Sequence, residues 1–281
     1  MEPQLEEAFV DSPYAMPATS QEATRLNEQS EIVTAAIGRV VLPELSLQPG
    51  DRVLDVGTGT GAWLLALQAQ TPPGVQFTGI DITPRLFPPH PPPNTTFVQH
   101  SVLALPEAWT GNFALVHQRF LVAGLRAHPP ESDEWPRALG QLARVLRPGG
   151  WMQLCEPLPG HPASGHPAAA QSDAILRGRG LDLDCATRLV PWLREAGFAN
   201  IATAQRALPL GGIADARPSS MPSYTKVYYD AQVGLKAAAL ETGVVASAEA
   251  YDAYLVNLQE ELETCDGEFR VYWVWAQKPA E

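Results

Sequence analysis

The stretch "VLDVGTGTGAW", Val53 to Trp63, places three glycines within five residues directly behind an apolar run. Gly57, Gly59 and Gly61 fall where a strand hands over to a helix. At such a junction the backbone needs unusual φ values, and a ligand must approach without obstruction by a Cβ. The next helix offers unpaired N–H groups and the positive end of its dipole, which suits a carboxylate or a phosphate. Read from Gly57, the stretch also satisfies G-x-G-x-x-A with Ala62 last. The turn alone therefore leaves open NAD, FAD, a nucleotide phosphate, S-adenosylmethionine or a bare bend.

Asp55 narrows the choice. It stands two residues before the first glycine, where a carboxylate would repel a pyrophosphate but attract the ammonium of an amino-acid ligand. S-adenosylmethionine carries an ammonium, a carboxylate and a sulfonium, and fits an acid beside a helix N-terminus better than a dinucleotide does. Asp81 closes the second strand, 20 residues after Gly61, with Ile82 next to it. An acid there accepts hydrogen bonds from ribose hydroxyls in either cofactor class. The third strand ends in "QHSVL", which puts Ser101 and the amide of Val102 beside an adenine. The fourth ends in "HQR", which puts His117, Gln118 and Arg119 at the carboxyl edge of the sheet.

Outward from this point the pattern alternates. Helix is expected after Thr19 and Glu22, which have capping-box spacing, with Val33, Ala36, Ile37, Val40 and Val41 on one face and Pro43 as the stop. "RVLDVG", "VQFTGIDI", "TTFVQHSVL", "FALVHQRF" and "WMQLCEP" read as five strands. "AWLLALQAQ" reads as a helix, and so does a segment capped by Ser132 with Trp135, Leu139, Leu142 and Leu146 on one face and "RPGG" at its end. Strands alternating with helices and apolar on both faces indicate a parallel α/β sheet. Further on, "CATRLVPWLREAGF" is helical with a kink at Pro191 and Gly197 beyond its end, and "NIATAQRALPL" is a sixth strand. Two helices, at about 224–241 and 248–264, precede a final strand in "EFRVYWVWAQKP". Residues 1–18 read as a tail or flap, and the prolines at 84–93 as a stiff surface loop.

Composition bounds the function. The chain has 281 residues, 45% of them hydrophobic, and a net charge of −12. That acidity, with no basic patch, disfavours nucleic acid. No run approaches the ~18 apolar residues that span a membrane, and "MEPQLEEAFV" lacks the pattern of a secretory signal. Cys155, Cys185 and Cys265 are odd in number and widely spaced, as expected of reduced thiols in a cytoplasmic protein. His161 and His166 have no third ligand near them in sequence, so no metal site is expected.

Together these residues resemble the class I S-adenosylmethionine-dependent methyltransferases. "VLDVGTGTG" is similar to their first motif, "GIDI" to their second-strand acid, and "RVLRPGGWMQLCE" to their helix, turn and fifth strand. More narrowly, "RLNEQSEIVTAAIG", "FVQHSVLALPEAW" and "FALVHQRFLVAGL" are similar to the LaeA-like fungal methyltransferases of secondary metabolism. The resemblance implies a Rossmann-like, seven-stranded mixed sheet in the order 3-2-1-4-5-7-6 with its last strand antiparallel. It divides the chain into an N-terminal flap and cap helix over 1–45 and a methyltransferase domain over 46–281. An insertion at about 212–266 would serve as a substrate lid. Two positions depart from the pattern: Ala114 and Ser101 stand where acids are usual.

The resemblance leads to an expectation of methyl transfer to an O or N atom of a small secondary metabolite, aromatic or polycyclic. A homodimer is compatible with it. Asp55, Gly57, Gly59, Gly61, Asp81, Ile82, Ser101, Val102 and His117 would hold S-adenosylmethionine and its product S-adenosylhomocysteine. His117, then Glu156, would act as general base. The tyrosines at 224, 228, 229, 251 and 254 would roof the acceptor. The departures at Ala114 and Ser101 keep alternatives in view: a regulatory or scaffold protein without methyl transfer, a cyclase that uses the bound sulfonium, or a nicotinamide oxidoreductase.

Overall fold

The computed structural model describes residues 14–127, 133–159, 167–211, 223–264 and 266–280. After helix α1 (Ser20–Ile37), the chain lays down β1 (Arg52–Val56), α2 (Ala62–Gln68), β2 (Gln76–Asp81), β3 (Thr95–Gln99), β4 (Phe113–Arg119), α3 (Glu134–Val145) and β5 (Leu146–Pro157). It continues through α4 (Pro167–Gly178), α5 (Leu189–Glu195), β6 (Ala199–Leu210), α6 (Thr225–Gly234), α7 (Lys236–Glu241), α8 (Ala248–Thr264) and β7 (Gly267–Gln277). The strands form one sheet in the order β3-β2-β1-β4-β5-β7-β6. Strands β1 to β5 run parallel, and β7 runs antiparallel to both its neighbours.

Period-two alternation decides which side chains can meet. Leu54, Val56, Val116, Met152 and Leu154 pack on one face with Trp135, Leu139 and Leu142 of α3. Val53, Phe77 and Leu115 pack on the other with Trp63 and Leu64 of α2. Both faces of the central strands are thus covered, which explains why their sequences are continuous apolar runs. A third cluster joins β6 and β7 to α6, α7 and α8.

Several boundaries differ from expectation, each for a local reason. Helix α1 stops at Gly38, in the left-handed region at φ 82°, and not at Pro43. Val40 instead lies in the following loop, where its carbonyl accepts from Trp63 Nε1 at 3.1 Å and Gln153 Nε2 at 3.0 Å. "RPGG" is not a helix end: α3 finishes at Val145, and β5 already begins at Leu146. Ser132 lies outside the described residues, and Asp133 caps α3 by accepting from Trp135 N. Pro191 falls in the first turn of α5, where no intrahelical N–H is required, so it does not kink the helix. The segment at 224–241 is two helices, and α4 was not foreseen.

Among the described residues no helix is long and apolar enough to cross a membrane. Cys155 and Cys185 are buried free thiols, while Cys265, His161 and His166 fall outside the described residues.

Candidate functional site

Strand order reverses between β1 and β4, and open α/β sheets bind ligands outside the carboxyl ends of strands at such a switch. A cavity of about 770 Å³ opens there, within the range of ligand pockets. Its wall includes Asp55, Gly57, Gly59, Asp81, Ile82, Ser101, Val102 and His117. The expected cofactor residues are therefore brought together, except Gly61, which lies behind the wall.

The turn owes its shape to the glycines. Gly57, Gly59 and Gly61 have φ of 65°, 54° and 76°, a region that side chains with a Cβ enter only at a cost. A Cβ on Gly61 would also stand 2.5 Å from the Phe97 ring. Asp81 fixes the turn from the neighbouring strand. Its Oδ2 accepts from Gly59 N at 2.9 Å and its Oδ1 from Thr83 N at 3.1 Å. Burial raises the Asp81 pKa, opposed by these backbone donors.

Asp55 and His117 stand opposite each other in the β1–β4 register, one step beyond the pair Val53 and Leu115. Both therefore project on the α2 face. His117 Nδ1 donates to Asp55 Oδ1 at 2.7 Å, and Thr58 Oγ1 donates to Asp55 Oδ2 at 2.6 Å. The His117 ring stacks on Trp63 with centroids 3.6 Å apart and planes within 8°. Burial lowers the imidazole pKa although Asp55 acts in the opposite sense. Ser101 accepts from Leu103 N at 3.2 Å and so caps the short turn that carries Val102.

Glu156 is placed away from the cavity. It shares the sheet face of Met152 and Leu154, opposite to that of His117, and is 0% exposed. Its oxygens accept from Leu121 N at 2.8 Å and Val122 N at 3.2 Å. Burial pushes its carboxyl up to about 8 against those two donors. Glu156, expected as a second general base, does not line the cavity: alternation along β5 points it behind the sheet, where it holds the turn after β4. Ala114, fully buried in β4, is likewise off the wall.

Four aromatic side chains form another part of the wall: Phe120, Tyr224, Tyr228 and Phe269. The Tyr224 and Phe269 rings stack at 4.6 Å. Tyr224 receives a hydrogen bond from Gln29 Nε2 at 2.6 Å, and burial pushes its pKa up to about 12. Tyr251 and Tyr254 are not on the wall and bind Gln232 from behind, at 2.7 and 3.3 Å.

The comparisons with known proteins agree with this geometry. A family model described as a methyltransferase domain matches residues 30–203. The chain belongs to the methyltransferase domain family. It is 30% identical over 282 residues to the N-methyltransferase sirN of Leptosphaeria maculans, covering 96% of each chain. It is 29% identical to the N-methyltransferase gliN of Aspergillus fumigatus, covering 95% of this chain and 96% of that one. Among solved structures, a Haemonchus contortus phosphoethanolamine N-methyltransferase in complex with S-adenosyl-L-methionine superposes with a TM-score of 0.54 at 14% identity. That match covers 94% of this chain and 57% of the other, and shows a shared fold. The reaction class follows from the family: this is an S-adenosylmethionine-dependent methyltransferase.

Two features of this methyltransferase's cavity go beyond what the sequence indicated. The capping box of α1 is only half made: Thr19 Oγ1 accepts from Glu22 N, but the Glu22 carboxylate turns to Arg25. Arg25 Nε and Nη2 both donate to it at 2.7 Å, and Tyr14 donates at 3.0 Å. Burial opposes the charge on Arg25, but Glu22 outweighs it and raises the pKa. The spacing of Glu22 and Arg25 at i, i+3 was a visible signal for this pair. The second feature is Arg119, on the same β4 face as His117 and lining the cavity. Burial lowers its pKa, with Cys155, Asp55 and Tyr224 acting the other way.

Proposed function

We propose that this methyltransferase transfers a methyl group to a nitrogen atom of a small aromatic secondary metabolite in the cytoplasm. The observation that carries the reading is that Asp55, Asp81 and the glycine turn open into the same cavity as the aromatic wall of Tyr224 and Phe269. The names of the fungal relatives, N-methyltransferases over nearly their whole length, support nitrogen over oxygen. The buried free thiols Cys155 and Cys185 support a reducing compartment.

The residues present fit S-adenosylmethionine. The Cβ-free turn at Gly57 and Gly59 gives a close backbone approach. The carboxylate of Asp81 retains lone pairs for ribose hydroxyls after accepting from Gly59 and Thr83. Asp55, held by His117 and Thr58, places negative charge where an ammonium would lie. Ser101 and the Val102 amide border the adenine end. When bound, the cofactor supplies an electrophilic methyl on its sulfonium.

The protein's own work is to position the two reactants in line and to keep water out. A nitrogen lone pair attacks without prior deprotonation, and its proton leaves afterwards. His117 is then a positioning residue: its Nδ1 is committed to Asp55 and its face to Trp63. Helix α6 and the segment around Tyr14 roof the acceptor side, with α7 and α8 packed behind α6. Incubation with methyl-labelled S-adenosylmethionine and a panel of aromatic amines tests the reading. Label on nitrogen supports it; label on oxygen or carbon only would overturn the choice of atom.

A further inference from the structure

Two guanidinium groups, those of Arg25 and Arg119, line the cavity together with Tyr224, and they differ in their partners. That of Arg25 is bound through two nitrogens to Glu22, so its charge is compensated within the protein. No hydrogen bond or ion pair among the described residues holds that of Arg119. Its electrostatic neighbours are Cys155, whose own thiol is pushed well up by burial; Asp55, whose two oxygens already hold His117 and Thr58; and Tyr224, a phenol at about 12. Of these only Asp55 is an anion at neutral pH, and both of its oxygens already accept from His117 and Thr58 rather than from Arg119.

A half-buried cation with no hydrogen-bonded counter-charge is under-compensated. This one sits at the carboxyl end of β4, next to Phe120 in sequence, and lines the same cavity as the stacked rings of Tyr224 and Phe269. The fork of a guanidinium matches a planar oxyanion, whereas the rings around it match a flat apolar body. On the cofactor side Asp55 faces the ammonium, which leaves the cofactor's carboxylate and an acceptor oxyanion as the two anions able to meet this fork. The aromatic wall that lines the cavity with Arg119 favours the acceptor.

Resting on the proposed methyl transfer to an aromatic acceptor, we infer that Arg119 is the specificity-determining residue of the acceptor subsite and selects a planar aromatic compound bearing a carboxylate or an equivalent delocalised oxyanion. In the ternary complex that oxyanion sits on the Arg119 fork while the ring lies against Tyr224 and Phe269. The acceptor's charge also offsets the cationic sulfonium nearby, so that a neutral analogue is rejected although it has the same shape.

The test uses 1-naphthoate and its neutral isostere 1-naphthamide, titrated calorimetrically into protein saturated with S-adenosylhomocysteine. Naphthoate should bind at least about tenfold more tightly than naphthamide. Arg119→Met should abolish that preference and leave the affinity for S-adenosylhomocysteine within about twofold, while Arg119→Lys should keep part of it. Equal affinities in the unaltered protein, or a preference that survives Arg119→Met, would overturn the inference. So would displacement of S-adenosylhomocysteine by naphthoate, since the fork would then belong to the cofactor's own carboxylate. The comparison in the unaltered protein needs no variant, so a misfolded substitution leaves it decidable. Failure of S-adenosylhomocysteine itself to bind contradicts the cofactor reading instead, and the two naphthyl probes titrated without it still report on Arg119.

Discussion

His117 and Asp55 face each other across the β1–β4 register, and the 2.7 Å bond from Nδ1 to Oδ1 joins the acid of the glycine turn to the strand beside it. Because a carboxylate only accepts, that bond fixes the proton on Nδ1 of the imidazole. Trp63 covers the ring at 3.6 Å. The arrangement holds Asp55 in one orientation beneath the cavity.

Truncation of His117 should accordingly act first on stability. His117→Ala leaves a buried carboxylate oxygen without its donor, at a cost of about 1–3 kcal/mol. Urea denaturation measures it, and His117→Asn should lose less because an amide can still donate. If His117 were the general base, the dominant loss would be in kcat with stability unchanged.

The same residue predicts a pH dependence. Burial lowers its folded-state pKa below the usual 6.5, against the pull of Asp55. Below pH 6.5 the unfolded chain therefore takes up a proton that the folded one resists. The unfolded state binds more protons in that window, so stability falls as the pH falls through it. Unfolding free energies measured from about pH 8 to about pH 5 should show this slope, and His117→Asn should reduce it.

Glu156 should behave in the opposite sense and should not report on catalysis. Its carboxyl is raised to about 8 by burial, against the Leu121 and Val122 amides. Between pH 4.5 and 8 the folded state binds the extra proton, so this residue's contribution to stability declines as the pH rises. Glu156→Gln should therefore destabilise less at about pH 8 than at about pH 5. Its methyl-transfer rate should stay within about tenfold of the unaltered enzyme, whereas removal of a general base costs about 10²–10⁴.

Gly61→Ala should be poorly tolerated for two separable reasons. The left-handed backbone at φ 76° costs about 1–2 kcal/mol for a residue with a Cβ, and the Phe97 ring already occupies the space. Thermal unfolding of Gly61→Ala alone and combined with Phe97→Leu separates them. The second change should recover the steric part only.

The sheet was legible because strands buried on both faces write themselves as apolar runs, and glycine and proline punctuation marked most junctions between them. Legibility failed where tertiary contacts override local pattern. Val40 continues the apolar period of α1, yet Gly38 ends the helix and Val40 anchors Trp63 through its carbonyl. The cofactor side was read from Asp55 and Asp81 because their spacing to the glycines is local. The face of Glu156 was not legible because its place at a strand end does not say which face it takes; only the register with β4 reveals that. The lone guanidinium of Arg119 is visible in "HQR" but its lack of a partner is not, since that depends on Tyr224, far along the chain.

The most direct measurement is titration calorimetry of S-adenosylhomocysteine into the protein and into Asp81→Ala. Asp81 both ties down Gly59 and faces the cavity, and hydrogen bonds to a charged group are worth about 1.5–3 kcal/mol. The unaltered protein should bind one molecule per chain, and the variant should bind about ten- to a hundred-fold more weakly. No binding to the unaltered protein, or equal affinity in the variant, would contradict the placement of the cofactor against Asp81 and the glycine turn.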